Sequence, residues 1–439
     1  MRTMKDSGIE WIGEIPQGWK IARIKHVIDR SEFGIKIGPF GSSLANRTLI
    51  SGPYNVYSQA NLISNSFTDT NHYIDRDTFV DLRSYEVKPG DVCVSMMGTI
   101  GKCKVVPEGI TEGIMDSHLI KIRLNETQID PRFFEYVYDK DNSGVCFTQM
   151  QYEKKGTIMD GLNTAIVKNL VIPLPSLTEQ KEIAKYLETK CAEIDALIAV
   201  KEKTNALLKE RRQSIIYEAV TKGLDPTVPM KESGIEWIGE IPEGWELKRL
   251  KYLGSMQIGL TYSPEEIVAD GALVLRSSNI QDGKIVHADD VFVGKEIPEK
   301  LKVEEGDILI CSRNGSRSLI GKNAVITEEF SGQTFGAFMT IFRGRLNFYI
   351  KYLLNSFVFD YYVGSFLTST INQLTTSNLG NILVPVPSTE EEMLKNAEHI
   401  ETECRTIDPI IAMNNETIQK LKEYRQSLIY EAVTGKIEV

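Results

Sequence analysis

One stretch occurs twice in this chain, and any fold it adopts must accommodate both copies. Residues 4–27 read MKDSGIEWIGEIPQGWKIARIKHV and residues 230–253 read MKESGIEWIGEIPEGWELKRLKYL, with Trp11 and Trp19 matched by Trp237 and Trp245. A second repeat closes each half. RQSIIYEAVT at 212–221 and RQSLIYEAVT at 425–434 each end a long polar segment carrying apolar residues at helical spacing. Self-similarity of this kind marks an internal duplication, so the chain is two copies of one plan: a head, a variable middle and a long helix.

The heads carry too many turn formers for a long helix, among them Gly8, Gly13, Pro16 and Gly18, and read as short strands or turns pinned by indoles that serve as core anchors. The middles show short β-like runs. In KPGDVCVSMMGTIGKCKVV (88–106) a Pro-Gly turn leads into an extended run at 91–95 and a loop at 98–102, and EEGDILICSRNGSRSLIGKNAVI (304–326) repeats it with a longer loop. Aromatic and apolar residues at helical spacing predict helices over 131–138 and 347–362. Each middle ends on a proline-flanked strand, VIPLPS (171–176) or LVPVPS (383–388). The serines open capping boxes, Ser176 with Glu179 and Ser388 with Glu391, in which hydroxyl and carboxylate satisfy orphan helix N–H groups.

The helices then run to Gly223 and Gly435, which suit the left-handed position beyond a helix end, so each spans roughly 45 residues, about 68 Å. Their apolar spacing is close to seven. Leu187, Ile194, Leu208 and Ile215 share one heptad position with Ile198 and Ala219 alongside, and Ile400, Ile407, Leu421 and Leu428 match them with Ile411, Ile418 and Ala432. Such seams favour a coiled coil. Lys201 and Asn414 interrupt the seams near mid-helix; either an antiparallel pairing brings the two polar residues together as a register device, or Lys201 snorkels to water.

A chain of 439 residues with 42% hydrophobic and 25% charged residues has the composition of a globular protein with room for two or three domains. No targeting segment or membrane span is expected, because Arg2, Lys5 and Asp6 follow Met1 at once and no apolar run is long enough. Six scattered cysteines without a C-x-x-C point to neither zinc nor a disulfide framework, and so to a reducing cytoplasm. No metal or catalytic role is expected of the five dispersed histidines. The net charge of −10 argues against a free-standing nucleic-acid binder, because phosphate neutralisation dominates such affinity, and suggests that any DNA grip is shared with a partner.

No catalytic constellation is legible. GSRSLIGKN around Lys322 resembles a phosphate loop only superficially, since the first glycine stands one residue too early and Asn323 replaces the hydroxyl residue. There is no G-x-G-x-x-G, no Asn/Asp-Pro-Pro-aromatic methyltransferase tetrapeptide and no nuclease carboxylate-lysine cluster. Recognition residues are easier to find. The glycine-punctuated loop CSRNGSRSLIGK (311–322) carries Arg313, Asn314, Ser316, Arg317 and Lys322. Arginine reads guanine edges and asparagine adenine edges in the major groove, while serine and lysine hold phosphates. The first half offers Ser95, Met97, Thr99 and Lys102 at the equivalent place. Further candidates are Lys36, Ser42 and Ser43 around IGPFGSSL (37–44), Gln59 and Asn61 in SQAN (58–61), and Arg276 and Asn279 in RSSN (276–279).

Two variable modules alternating with two long repeated helices, the SGIEWIGEIPxGW heads, the Pro-x-Pro-Ser helix starts and the RQSxIYEAVT tails together resemble the specificity subunit of type I restriction-modification systems, over nearly the whole chain. The resemblance implies an α+β fold: two β-rich mixed target-recognition domains (1–175 and 230–387) and two spacer helices (176–222 and 388–435) joined through a linker (223–229). The helices form an antiparallel coiled coil and the whole has pseudo-twofold symmetry. It further implies that each domain reads one half of a split double-stranded DNA site, and that two methyltransferase subunits dock on the helices and methylate adenine N6 with S-adenosylmethionine. Restriction subunits supply ATP- and Mg-dependent translocation and cleavage, and none of these cofactors belongs to this chain, which is non-catalytic. Similar modules on a stiff rod read sites about one helical turn, roughly 34 Å, apart only if the rod fixes their separation. The alternative from another class is a non-catalytic coiled-coil adaptor whose duplicated modules bind protein.

Overall fold

The computed structural model describes residues 2–439 apart from 32, 33, 41, 46, 69, 153–160 and 368–371. The chain forms two compact units that do not coincide with its sequence halves: Met1–Lys201 together with Asn415–Val439, and Glu202–Asn414. Strands and helices are mixed in both.

In the first unit the head is a hairpin, Met4–Asp6 antiparallel to Glu14–Pro16. A four-stranded antiparallel sheet follows in the order Ile35–Ile37, Leu119–Ile122, Val92–Ser95, Cys103–Val105. Beside it Tyr54–Tyr57 pairs antiparallel with Tyr73–Ile74 and parallel with Gly113–Met115. Val171–Leu174 returns to pair with Lys20–Arg23. The second unit repeats the plan. Its head pairs Met230–Glu232 with Glu240–Pro242, and its main sheet runs Ser255–Ile258, Met339–Arg343, Ile308–Cys311, Asn323–Val325. Ala272–Leu275 pairs parallel with Thr334–Phe335, and Leu383–Val386 closes onto Glu246–Arg249.

The repeated Gly-Asp step explains why the main sheets match. Asp91 is 2% exposed; its carboxylate accepts from the Lys88 N–H at 2.9 Å and from Arg123 Nε and Nη2 at 2.8 and 3.0 Å. Asp307 does the same with the Glu304 N–H at 2.8 Å and Arg343 Nε and Nη2 at 2.8 and 2.6 Å. A buried carboxylate is tolerated only when paired and hydrogen-bonded, and here it ties the turn before one strand to the end of its neighbour.

Pro131–Tyr138 is a helix, with Asp130 as its N-cap. The span predicted as one helix over 347–362 is two, Asn347–Leu353 and Phe357–Phe366. Ser356, fully buried, donates its hydroxyl to the Leu353 carbonyl at 2.7 Å, so a side chain takes an acceptor the helix would otherwise bond further along.

The long helices are Leu177–Thr221 and Glu390–Val433. At the first start the capping box is present: the Glu179 N–H donates to Ser176 Oγ at 3.3 Å and the Ser176 N–H to Glu179 Oε2 at 3.2 Å. At the second the predicted box gives way to a side-chain cap one residue later. Ser388 spends its hydroxyl on the Gly244 carbonyl, and Thr389 Oγ1 accepts from the Glu392 N–H at 3.2 Å. The second helix also contains Pro409, which removes one N–H from its ladder.

Both tail decapeptides sit on a head. In the first unit the Tyr430 hydroxyl donates to the carbonyls of Trp11 and Ile12 at 3.1 and 3.2 Å; in the second, Tyr217 donates to the Ile238 carbonyl at 3.2 Å. Trp19 and Trp245, 2% and 1% exposed, donate their indole N–H to Glu179 (3.4 Å) and Glu392 (2.8 Å), the acidic residues at the helix starts. Trp11 and Trp237 are half-buried, and Trp237 stacks on Tyr361 at 4.2 Å.

Within each unit the helix segments run in opposite directions. Arg212 Nε meets Asp408 at 3.1 Å, Asn414 Nδ2 donates to Asn205 Oδ1 at 2.8 Å, and Asn396 Nδ2 donates to the Ala219 carbonyl at 3.1 Å, all in the second unit. In the first, Arg425 meets Asp195 at 3.1 Å. Leu187, Ile194, Ile198, Ile418, Leu428 and Ala432 join the first unit's core; Ala219, Ile400 and Cys404 join the second's, and Ile407 and Asn414 are also buried. Leu208, Ile215, Ile411 and Leu421 are only half-buried, and Ile216 takes the place expected of Ile215. A straight helix drifts by ~20° per heptad, which is enough to pass burial to the next residue. Within the second unit Asn414 pairs with Asn205, which is 6% exposed, and Lys201 of the first unit is half-buried.

Gly435 and Gly223 adopt φ +74° and +71°. A Cβ on Gly435 would lie 2.5 Å from Pro16 and 2.9 Å from Trp19; on Gly223 it would lie 3.2 Å from Trp245. Gly435→Ala is therefore expected to destabilise the first unit by ~2–4 kcal/mol, the left-handed backbone and overpacking acting together. Gly18→Ala, with nothing within 4 Å and no positive φ, is expected to stay within about 1 kcal/mol in the same urea melts.

Candidate nucleic-acid interface

In the second module the strand Ile308–Cys311 runs into a loop that is fastened at several points. Cys311 N–H donates to the Lys322 carbonyl at 2.8 Å, and Ser312 and Arg313 N–H both donate to the Phe338 carbonyl at 2.9 and 3.0 Å. Asn314 Nδ2 donates to Ser277 Oγ at 3.0 Å while its Oδ1 accepts from the Ser316 N–H at 2.9 Å. Ser316 and Ser318 hydroxyls are 2.9 Å apart. Arg317 Nη2 donates to the carbonyls of Gly364 and Leu367 at 3.2 and 2.9 Å, so this arginine braces the loop. Lys322 is half-buried. Arg313 is exposed, with its guanidinium 5.2 Å from the centre of the Phe338 ring.

These loops wall a cleft of about 560 Å³ lined by Tyr262, Arg276, Asp289, Arg313, Asn314 and Phe338 among others. Arg276 donates through Nη2 to the Asp289 carbonyl, and its buried Nε has no hydrogen-bond partner among the described residues; nor has the buried Ser278 Oγ. The site is concave and apolar at its wall, with a few polar groups left to satisfy, as ligand-binding surfaces usually are.

Asn279 faces the interior of the module. It is 0% exposed, its Oδ1 accepts from the Arg276 N–H at 2.9 Å, and its Nδ2 donates to Val286, Ala288 and Asp290 at 3.2, 3.1 and 2.9 Å. Its hydrogen bonds are spent inside the fold. Asn61 is its counterpart, 4% exposed, accepting from the Ser58 N–H at 2.9 Å and donating to the Ser66 carbonyl at 2.9 Å.

In the first module Met97 (37% exposed) and Thr99 stand on the equivalent, shorter loop, and Gln59 flanks Gly98, with its buried Oε1 unpartnered among the described residues. Ser95 is fully buried and closes the loop onto Thr99 and Lys102. Lys102 is enclosed as well. It lies between Asp139 and Asp141 at 3.3 and 3.0 Å with 16% of its side chain exposed. Burial opposes its charge, but the two carboxylates hold its pKa above the ordinary lysine value, so the ammonium is already paired inside the module. Lys36 stands 4.5 Å over the Tyr85 ring, Ser43 is exposed, and the side chain of Ser42 lies outside the described residues.

Sequence reasoning missed Tyr262, Phe338 and His118. The Met96 N–H donates to the His118 carbonyl at 3.0 Å, as the Ser312 N–H does to that of Phe338, so the two residues occupy matching places. The one sequence signal was the pair of glycine-rich or polar turns, DSH (116–118) and GAF (336–338), that follow the parallel strands. Among the described residues no cluster of His, Cys, Asp and Glu is arranged to hold a metal.

Two modules of one topology that present different side chains from matching loops make a recognition scaffold, and the comparisons agree. Residues 35–210 match the family model for the type I restriction modification DNA specificity domain. The MjaVIII type I restriction enzyme specificity subunit of Methanocaldococcus jannaschii is 27% identical over 336 residues, 75% of each chain, and the putative MjaX specificity subunit of the same organism is 25% identical over 98% of this chain and 96% of its own length. The EcoKI specificity subunit of Escherichia coli K12 is 30% identical over 213 residues, 45% of this chain and 44% of that one. A solved chain from work on complex assembly and conformational transition of the type I R-M system shares the fold, with a TM-score of 0.68 and 17% identity over 96% of this chain and 99% of that one. Residues 35–210 thus match the type I restriction modification DNA specificity domain, and the chain is similar over most of its length to type I specificity subunits. The adaptor reading is not favoured.

Asn279→Ala is expected to cost ~2–4 kcal/mol of stability, because it strips several bonds from buried groups. Arg313→Ala is expected to leave the melting transition within about 0.5 kcal/mol while weakening DNA binding at least tenfold.

Proposed function

We propose that each β-rich module reads one half of a bipartite double-stranded DNA site and that the long helices, paired as an antiparallel coiled coil, fix the unread spacer and dock two methyltransferase subunits. The observation that carries this reading is the contrast between matching loops. Where the second module offers Arg313 and Asn314, the first has Met97 and Gly98, and where the second has Phe338 the first has His118. One frame with unlike side chains reads unlike sequences.

In this reading the chain is non-catalytic and works in the cytoplasm. S-adenosylmethionine, ATP and Mg belong to the methyltransferase and restriction subunits that assemble with it. No helix among the described residues is long and apolar enough to cross a membrane. The base-contacting set is Arg313 with Arg276, Gln59, Met97, Thr99 and Ser43. Lys36 and Lys322 are the candidates for phosphate contacts, which position the duplex without reading it. The net charge of −10 fits a subunit whose grip on DNA is completed by its partners.

Single-molecule sequencing of adenine methylation in host DNA, with the gene present, deleted and restored, tests this directly. A two-part motif should lose methylation on deletion and regain it on restoration. Methylation unchanged in all three strains, with the partner methyltransferase expressed, would refute the proposal.

A further inference from the structure

Phe338 is a large aromatic side chain left 58% exposed at the rim of the cleft in the second module. It is held in place rather than dangling. Its carbonyl accepts from both Ser312 and Arg313, the Gly336 N–H donates to the Leu275 carbonyl at 3.0 Å, and the Met339 N–H closes the turn onto Gly336 at 2.8 Å. The Arg313 guanidinium rests over its ring, and the unpartnered Arg276 Nε and Ser278 Oγ belong to the same site.

The ring offers no hydrogen bond. In the major groove, the apolar feature a base pair presents is the C5-methyl of thymine. We propose that Phe338 reads a thymine methyl in the half-site of the second module, with Arg313 held beside it for the neighbouring base. The matching place in the first module supports an assignment by position. There His118, with 48% of its side chain exposed, has Nδ1 3.2 Å from the Asp116 carboxylate, which leaves Nε2 to meet a base edge by hydrogen bonding. The same backbone position thus reads by apolar contact in one module and by hydrogen bonding in the other.

This inference rests on the bipartite-recognition reading, and the test separates the two. Adenine methylation motifs are sequenced in cells carrying the full chain with its methyltransferase as wild type, Phe338→Ala or Phe338→His. In parallel, the wild-type complex methylates DNA in which single thymines are replaced by uracil, which removes only the methyl. Loss of one buried methyl should slow methylation roughly three- to fivefold at one position of the second half-site, and Phe338→His should relax or change the base at that position alone, with the first half-site unchanged. If uracil is tolerated at every thymine of that half-site, the assignment is overturned, even should the variants fail to fold. A uniform loss in Phe338→Ala with no change of base would make the ring a general stacking contact and overturn it as well. A wild type that methylates no two-part motif fails the underlying reading instead.

Discussion

The contact on which the structure most depends is a tryptophan seated against the glycine that ends a long helix. Trp19 meets Gly435 in the first unit and Trp245 meets Gly223 in the second. Each indole is buried and donates to an acidic residue at a helix start, so one side chain ties a head, a helix start and a helix end together. Burying an aromatic of this size removes a large apolar area from water. The first unit is completed by the last residues of the chain, so the first sequence half is not a closed unit by itself. This is why the decapeptide repeats with its tyrosine and threonine intact: Tyr430 and Tyr217 bond to head carbonyls, and Thr434 and Thr221 bond back to those tyrosines' own carbonyls at 2.6 Å.

Above that base, each module is a frame with interchangeable edges. The Asp91–Arg123 and Asp307–Arg343 pairs, each with a buried carboxylate, brace corresponding strands, and removing the arginine is costly because the buried charge is left uncompensated. The loops between the braced strands carry no such obligation. They differ in length and side chains, which lets one fold present Arg313 and Phe338 in one module and Met97 and His118 in the other. Loops anchored at several points to rigid strands hold their side chains in a fixed geometry.

Much of this was legible in the sequence because the signals were local. The repeats, the proline-flanked strands, the Ser176 cap and the two helix-end glycines each depend on residues within a few positions of one another. What escaped depends on partners distant in sequence. SQAN and RSSN read as base-contacting because asparagine suits adenine, but the spacing of Asn61 to Ser58 and of Asn279 to Arg276 is that of a side chain closing its own turn. The pairing of Lys102 with Asp139 and Asp141 joins residues almost forty positions apart and left no local signal. The Asn205–Asn414 pair was not legible, and Ile216 rather than Ile215 is buried, because helical drift decides which of two adjacent residues faces inward. Phe338 was overlooked because aromatic residues in a β-rich segment are ordinarily core, and only the turn that holds it exposed marks it as something else.

The most direct test of the helices as a ruler is to lengthen both by four residues near mid-helix and sequence the methylated motif. Each helix then grows by roughly 6 Å, so the two half-sites should keep their sequences while the unread spacer between them gains about two base pairs at ~3.4 Å each. An unchanged spacer, or altered half-sites with the old spacing, would contradict the view that the helices measure the site and the modules read it.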